Sequence, residues 1–241
     1  PSPGNRGHAR SVVVTHAVVV ALRDDPGAVA TKPAPIQTSG RPAPAEQECP
    51  RPATGAIHAA PALHNNDPAA PSRTVALTFD DGPGPWTPAV LDILRQAQVQ
   101  ATFFVVGKSV AAEPEMLRRV LADGHALGNH TWSHKIPSAA SGWNRPTLTR
   151  EIERTSQAIL DAVGRKPCLF RPPGGVAKGA DTVSHAAHLS VILWSVDTRD
   201  WANRPAGVVD FARVIRKRAT AGLAEEHPVI LMHDGGGDRA A

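Results

Sequence analysis

From Thr74 to the C-terminus, short runs rich in β-branched and aromatic residues alternate with segments of helical periodicity. That alternation restricts the chain to a parallel α/β sheet or barrel, with a crossover joining each strand to the next. Strands are predicted at 74–79 (TVALTF), 101–106 (ATFFVV), 125–129, 168–170, 189–196 (LSVILWSV) and 229–232. The run 189–196 is almost wholly apolar and reads as one strand buried on both faces. Helices are predicted from about Thr87 as N-cap with Pro88 in the first turn, from Pro114 to a stop at Gly124, over 149–163 with a stop at Gly164, and over 208–221.

Residues 1–73 have a different character. They hold 12 of the chain's 23 prolines, in runs such as KPAP (32–35) and RPAP (41–44) that leave little room for helix or strand pairing. The expected organisation is a disordered Pro/Ala-rich tail over 1–73 followed by one catalytic domain over 74–241. The apolar run 11–22 (SVVVTHAVVVAL) is too short for a transmembrane segment, and with His16 inside it and no small-residue cleavage site before Arg23 it makes a poor signal peptide. Cys49 and Cys168 are the only cysteines, which excludes a disulfide framework and a thiolate zinc site and leaves room for one long-range bridge; Cys168, in a predicted strand, reads rather as a small buried hydrophobe. The formal charge of +4 suits an anionic partner, yet the densest basic cluster, RVIRKR at 213–218, reads as a solvated helix face, and no nucleic-acid partner is expected.

The chemistry-bearing residues fall in one kind of place. Asp80-Asp81, His130, Arg171, Asp197 and His233 each follow a different predicted strand, and in a parallel α/β fold those strand ends share one face. Adjacent carboxylates leaving a strand point in different directions, so one can bind a cation while the other serves as a base. His130 and His134, four residues apart, can reach one ion from a helical turn or a curled loop. With Asp81 they make a two-His, one-carboxylate set that leaves coordination positions open, as catalytic sites do. Nonheme iron oxygenases use the same set; a second carboxylate and a His near an Asp point instead to hydrolysis. His233, emerging from the apolar run 229–232, is a general-acid candidate, and Asp200 beside it would raise its pKa.

Five segments, in order, resemble the motifs of the polysaccharide deacetylase (NodB-homology) family, carbohydrate esterase family four. They are TFDDGP (78–83), HTWSH (130–134), RPPGG (171–175), DTRDW (197–201) and LMHD (231–234), and the resemblance spans about 74–234. It implies a distorted (β/α) barrel. It also implies a divalent metal, zinc first and cobalt or nickel in some members, held by Asp81, His130 and His134. Asp80 is implied as general base, oriented by Arg171, and His233 as general acid, tuned by Asp200 with a contribution from Asp197. A backbone N–H near Gly174 is implied for the developing oxyanion, Leu231 for the pocket around the acetyl methyl, and Trp201 for stacking on sugar, with Trp86, Trp132 and Trp143 as weaker candidates. Gly174 stands where many relatives carry an aromatic residue, the stretch 135–146 is longer than usual, and the chain stops at Ala241, short of the family's closing helix.

The function expected is hydrolysis of acetyl groups from a polysaccharide or oligosaccharide, foremost N-deacetylation of N-acetylglucosamine polymers of the peptidoglycan or chitin kind. Alternatives are O-deacetylation of acetylxylan, a non-catalytic glycan-binding protein on this fold, and a small-molecule amidohydrolase. A polymeric glycan substrate places the protein outside the cytoplasm, secreted or wall-associated. No protein partner is implied.

Overall fold

The computed structural model describes residues 20–21, 74–136, 144–176, 179–202, 210–225 and 228–236. The chain runs β1 (Val20–Ala21), β2 (Thr74–Asp80), α1 (Thr87–Ala97), β3 (Thr102–Val105), α2 (Gly107–Ala112), α3 (Pro114–Ala122), β4 (Ala126–Asn129) and α4 (Arg145–Val163). It continues through β5 (Leu169–Phe170), α5 (Ala180–Ala186), β6 (Ser190–Val191), β7 (Val196–Asp197), α6 (Phe211–Ala221) and β8 (Val229–His233). Strands β2 to β8 form one parallel sheet in the order β6-β5-β4-β3-β2-β8-β7.

That order forces the sheet to curl. Strands β6 and β7 lie at opposite ends of it, yet only residues 192–195 join them. Six interstrand spacings in a flat sheet would separate the two edges by about 29 Å, whereas five Cα steps reach at most about 18 Å. The result is a half-barrel, the distorted (β/α) barrel expected. The prediction of a single strand over 189–196 is therefore corrected. The run is apolar because it is buried, but it splits into β6 and β7 where the chain crosses the barrel seam.

Other boundaries moved for local reasons. Helix α4 starts one turn earlier than predicted because Asn144 caps it, its side-chain oxygen accepting the Thr147 N–H at 3.0 Å with Pro146 in the first turn. Helix α6 starts at Phe211 because Asp210 accepts the Arg213 N–H at 2.9 Å. Helices α2 and α5 had no prediction. The N-terminal tail, expected to be unpaired, contributes β1, which pairs antiparallel with Thr74 and Val75. Those two residues precede the register of β2 with β8, which begins at Ala76, and with β3, which begins at Thr78, so their backbone groups are open to another strand.

The main core fills the space between the sheet and helices α1, α3 and α4: Phe79, Leu91, Leu94, Phe103, Val105, Leu117, Val120 and Ile159 are all buried there. A second cluster, with Ile152, Phe170, Val183 and Val191, seats α5 against the β5–β6 side. On the barrel's inner face Phe104 packs with Leu169 and Ile192. Gly128 makes room for it, since a Cβ there would lie 2.4 Å from the Phe104 ring. Cys168 is half-buried and disulfide-bonded, which overturns the reading of it as a free hydrophobe; Cys49, the other cysteine, lies outside the described residues. No helix among the described residues is long and apolar enough to cross a membrane.

Candidate active site

Side chains alternate faces along a strand, so Thr78 and Asp80 of β2 point together into the barrel, opposite Leu231 and His233 of β8 in the parallel register. The buried guanidinium of Arg171, just past β5, organises this interior. It donates to Asp80 Oδ1 at 2.7 Å, Thr78 Oγ1 at 2.8 Å, the Ile192 carbonyl at 3.1 Å and the Leu193 carbonyl at 2.9 Å. It also lies over the Phe104 ring at 4.1 Å and near Trp194 at 5.6 Å. Burial pushes the Asp80 carboxyl above its ordinary pKa, opposed by the adjacent Arg171 charge and, less strongly, by His233. Asp80 is thereby a better proton acceptor than a surface carboxylate.

Asp81 turns away from Asp80 with a left-handed φ of 74°, directing its carboxylate toward two imidazoles. His134 Nε2 is 3.0 Å and His130 Nε2 3.6 Å from Asp81 Oδ1, and the three ligand atoms lie within 4.8 Å of one another. Donors about 2.0–2.2 Å from one tetrahedral ion stand roughly 3.3 Å apart, so the set fits a cation. His130 Nδ1 donates to the Arg171 carbonyl at 2.6 Å, which leaves Nε2 as the bare nitrogen, available to a cation. Burial, only partly offset by the Asp81 charge, lowers the His130 pKa to about 3, so the ring is neutral, as a metal ligand must be.

The segment 130–134 is a curled loop and not a helical turn, with positive φ at Thr131 (67°) and His134 (51°). Its backbone is held by α2, whose Gly107 and Lys108 N–H groups donate to the Thr131 and Trp132 carbonyls, and by α4. Asn129 donates to the Ile152 carbonyl and Ser156 Oγ while accepting the Thr131 N–H. Glu151 accepts the Ser133 backbone N–H at 2.7 Å and its hydroxyl at 3.0 Å. Arg154 stacks 3.6 Å from the Trp132 ring, which turns that ring toward α4 and away from a sugar-stacking role.

Across the rim, His233 Nδ1 lies 2.8 Å from Asp200 Oδ1, and the His233 backbone N–H donates to Asp200 Oδ2 at 2.7 Å. Burial alone would lower the His233 pKa, but the Asp200 hydrogen bond and the charges of Asp80, Asp200 and Asp81 together carry it above the ordinary imidazole value. Asp197 is engaged elsewhere: its Oδ1 accepts from the Arg199 N–H at 2.8 Å and Trp201 Nε1 at 3.1 Å, shaping the turn that presents Trp201, half-exposed, at the surface. Trp86 is half-buried beside α1, and Trp143 lies outside the described residues. Gly174 is exposed with φ 64°, and the exposed Ile136 side chain covers it, with a methyl 3.3 Å from where a Cβ would stand. Leu231 is buried on the inner face.

Sequence reasoning missed Thr78, Asn129, Glu151 and Trp194. It also missed the environment of Asp234: fully buried, hydrogen-bonded by Thr87, and pushed by that burial to a pKa of about 7. Only the places of Thr78 in the TFDDGP segment and of Asp234 in the LMHD segment pointed to any of them.

The polysaccharide deacetylase family profile matches residues 67–191. A peptidoglycan-N-acetylglucosamine deacetylase of Bacillus cereus is 39% identical over 178 residues, covering 70% of this chain and 76% of the relative. A chitooligosaccharide deacetylase of Bradyrhizobium sp. is 40% identical over 169 residues, covering 68% and 72%. Among solved structures, a family 4 carbohydrate esterase from Streptomyces lividans in complex with acetate superimposes with a TM-score of 0.58 at 34% identity, over 66% of this chain and 78% of that one. With the profile, the relatives and the fold in agreement, the chain belongs to the polysaccharide deacetylase family, hydrolases that cleave carbon–nitrogen bonds other than peptide bonds.

Proposed function

We propose that this protein is a metal-dependent N-deacetylase of glycans containing N-acetylglucosamine, peptidoglycan or chitin-like, acting outside the cytoplasm. Asp81, His130 and His134 are the metal ligands in this reading, Asp80 the base, and His233 the acid. The observation that carries it is the separation of two neighbouring carboxylates into different environments: Asp80 faces Arg171, and Asp81 faces two imidazole nitrogens. Zinc suits a site of two imidazoles and one carboxylate, with cobalt or nickel as substitutes. The names of the two relatives, both deacetylases of amino-sugar glycans, support an N-acetyl over an O-acetyl substrate.

When bound, the cation would polarise the acetamide oxygen and lower the pKa of water. Asp80 takes one proton from the attacking water as oxygen bonds to the acetyl carbon. Arg171 holds the Asp80 carboxylate in place through Oδ1, leaving Oδ2 to accept that proton. The Gly174 backbone N–H is the donor offered to the developing oxyanion. As the carbon–nitrogen bond breaks, His233 gives a proton from Nε2 to the departing nitrogen, its Nδ1–H held by Asp200. Acetate and a free amine result. Leu231 bounds the methyl pocket, and Trp201 offers a stacking face to the sugar.

The test is acetate release from chitooligosaccharide, peptidoglycan and acetylxylan by chelator-stripped protein and by protein restored with zinc or cobalt, with Asp80→Asn alongside. Metal-dependent release that the variant lacks is expected, strongest on an N-acetylated glycan. Restored protein that binds metal but releases no acetate from any of the three would overturn the reading.

A further inference from the structure

The turn after β2 does more than present Asp81. Thr87, fully buried, has one hydroxyl hydrogen and spare lone pairs, and both are in use: it donates to Asp234 Oδ2 at 2.5 Å and accepts the Gly84 N–H at 2.8 Å. The Asp234 backbone N–H donates to the Asp80 carbonyl, and the Gly82 carbonyl accepts from the Val106 N–H. Asp234 is itself packed directly on Gly82, where a Cβ would come within 2.3 Å of Oδ2. The next two residues wrap the ligand-bearing residue: a Cβ at Gly235 would stand 2.4 Å from the Asp81 carbonyl oxygen, and one at Gly236 2.4 Å from Asp81 Oδ2.

This arrangement is costly. Asp234 Oδ1 is buried with no hydrogen-bond partner among the described residues, and an orphaned buried polar atom is destabilising. A position serving packing alone would be better filled by an apolar side chain of the same size. The carboxyl is instead spent on one short hydrogen bond, whose other end fixes the backbone of the 81–84 turn. We propose that Thr87 and Asp234 are a positioning pair that clamps the turn carrying Asp81 to the strand carrying His233, and thereby sets the affinity of the cation site. Neither residue touches the substrate or the cation. The inference rests on the reading of Asp81, His130 and His134 as metal ligands.

The experiment uses the whole chain, stripped of metal and titrated with Co²⁺ against a chromophoric chelator, recording the dissociation constant and the cobalt absorption band. The metal-free melting temperature is measured in parallel. Thr87→Val and Asp234→Leu keep shape but lose the hydrogen bond. Each is expected to weaken Co²⁺ binding about 10–100-fold and to alter the absorption band. Thr87→Ser and Asp234→Asn, which keep a donor and an acceptor respectively, should stay near wild type. If Asp234→Leu does not fold, Thr87→Val carries the comparison alone. A lower melting temperature with unchanged affinity and spectrum would reduce the pair to a structural contact and overturn the proposal. Wild-type protein that fails to bind Co²⁺ would instead defeat the metal reading itself, a result distinguishable because it precedes any variant.

Discussion

Asp200 grips His233 twice, with one carboxylate oxygen on the ring Nδ1 at 2.8 Å and the other on the same residue's backbone N–H at 2.7 Å. The side chain cannot rotate without breaking the first contact, and the second ties Asp200 to the strand itself. Proton and orientation are thus controlled by one group.

The pH dependence follows from that grip. In the proposed mechanism His233 acts as an acid and must be protonated, and its pKa is raised, so activity is expected to persist above the ordinary imidazole range and to fall as pH climbs through the raised value. Asp200→Asn removes the negative charge and should move the alkaline limb of the kcat profile to lower pH. His233→Ala should lower kcat by about 10²–10⁴-fold. Both are read from initial rates across pH in metal-restored protein, and an unmoved alkaline limb in Asp200→Asn would remove Asp200 from this role.

Arg171 is the largest fully buried side chain among the described residues, and Asp80 is its ionic partner. Replacing it with Met leaves a buried carboxylate without its counter-charge and strands the carbonyls of Ile192 and Leu193. The expected loss is on the order of 3–5 kcal/mol, measured by chemical denaturation. The loss should shrink when Asp80→Asn is added, because the uncompensated charge is then gone.

Glu151 of α4 holds the histidine loop through Ser133. Glu151→Ala should weaken metal binding about 10–100-fold while leaving Asp80 and His233 in place. Chelator competition reads the affinity, and saturating metal should restore most of the activity. Activity still missing at saturation would show that the loop does more than hold the cation.

The reach of sequence reasoning followed the physics of strand ends. Asp80, Asp81, His130, Arg171 and His233 were legible because a parallel sheet gathers the residues that follow its strands, whatever their separation along the chain. Asp197 and Asp200 were grouped as partners of His233, yet three residues of turn send the first to Arg199 and Trp201 and only the second to the imidazole. Glu151 was invisible because nothing in helical periodicity says which polar side chain meets a loop. Trp194 was hidden inside an apolar run read as a strand, where the chain in fact leaves the sheet. Thr87 was read as the N-cap of a helix; the cap is Trp86, Thr87 is the first helical residue, and its hydroxyl serves the turn before it.

The seam between β6 and β7 bears on how this protein can change. Strand pairing does not close the barrel there; the spokes of one guanidinium do, running from β5 to β2 and to the carbonyls of the linker 192–195. An insertion of even one residue in this linker would pull two acceptors off Arg171 and so disturb the Asp80 carboxylate it holds, although the insertion lies outside the cluster of Asp80, Asp81 and the two histidines. The length of the linker between the two edge strands is therefore tied to the geometry around Asp80.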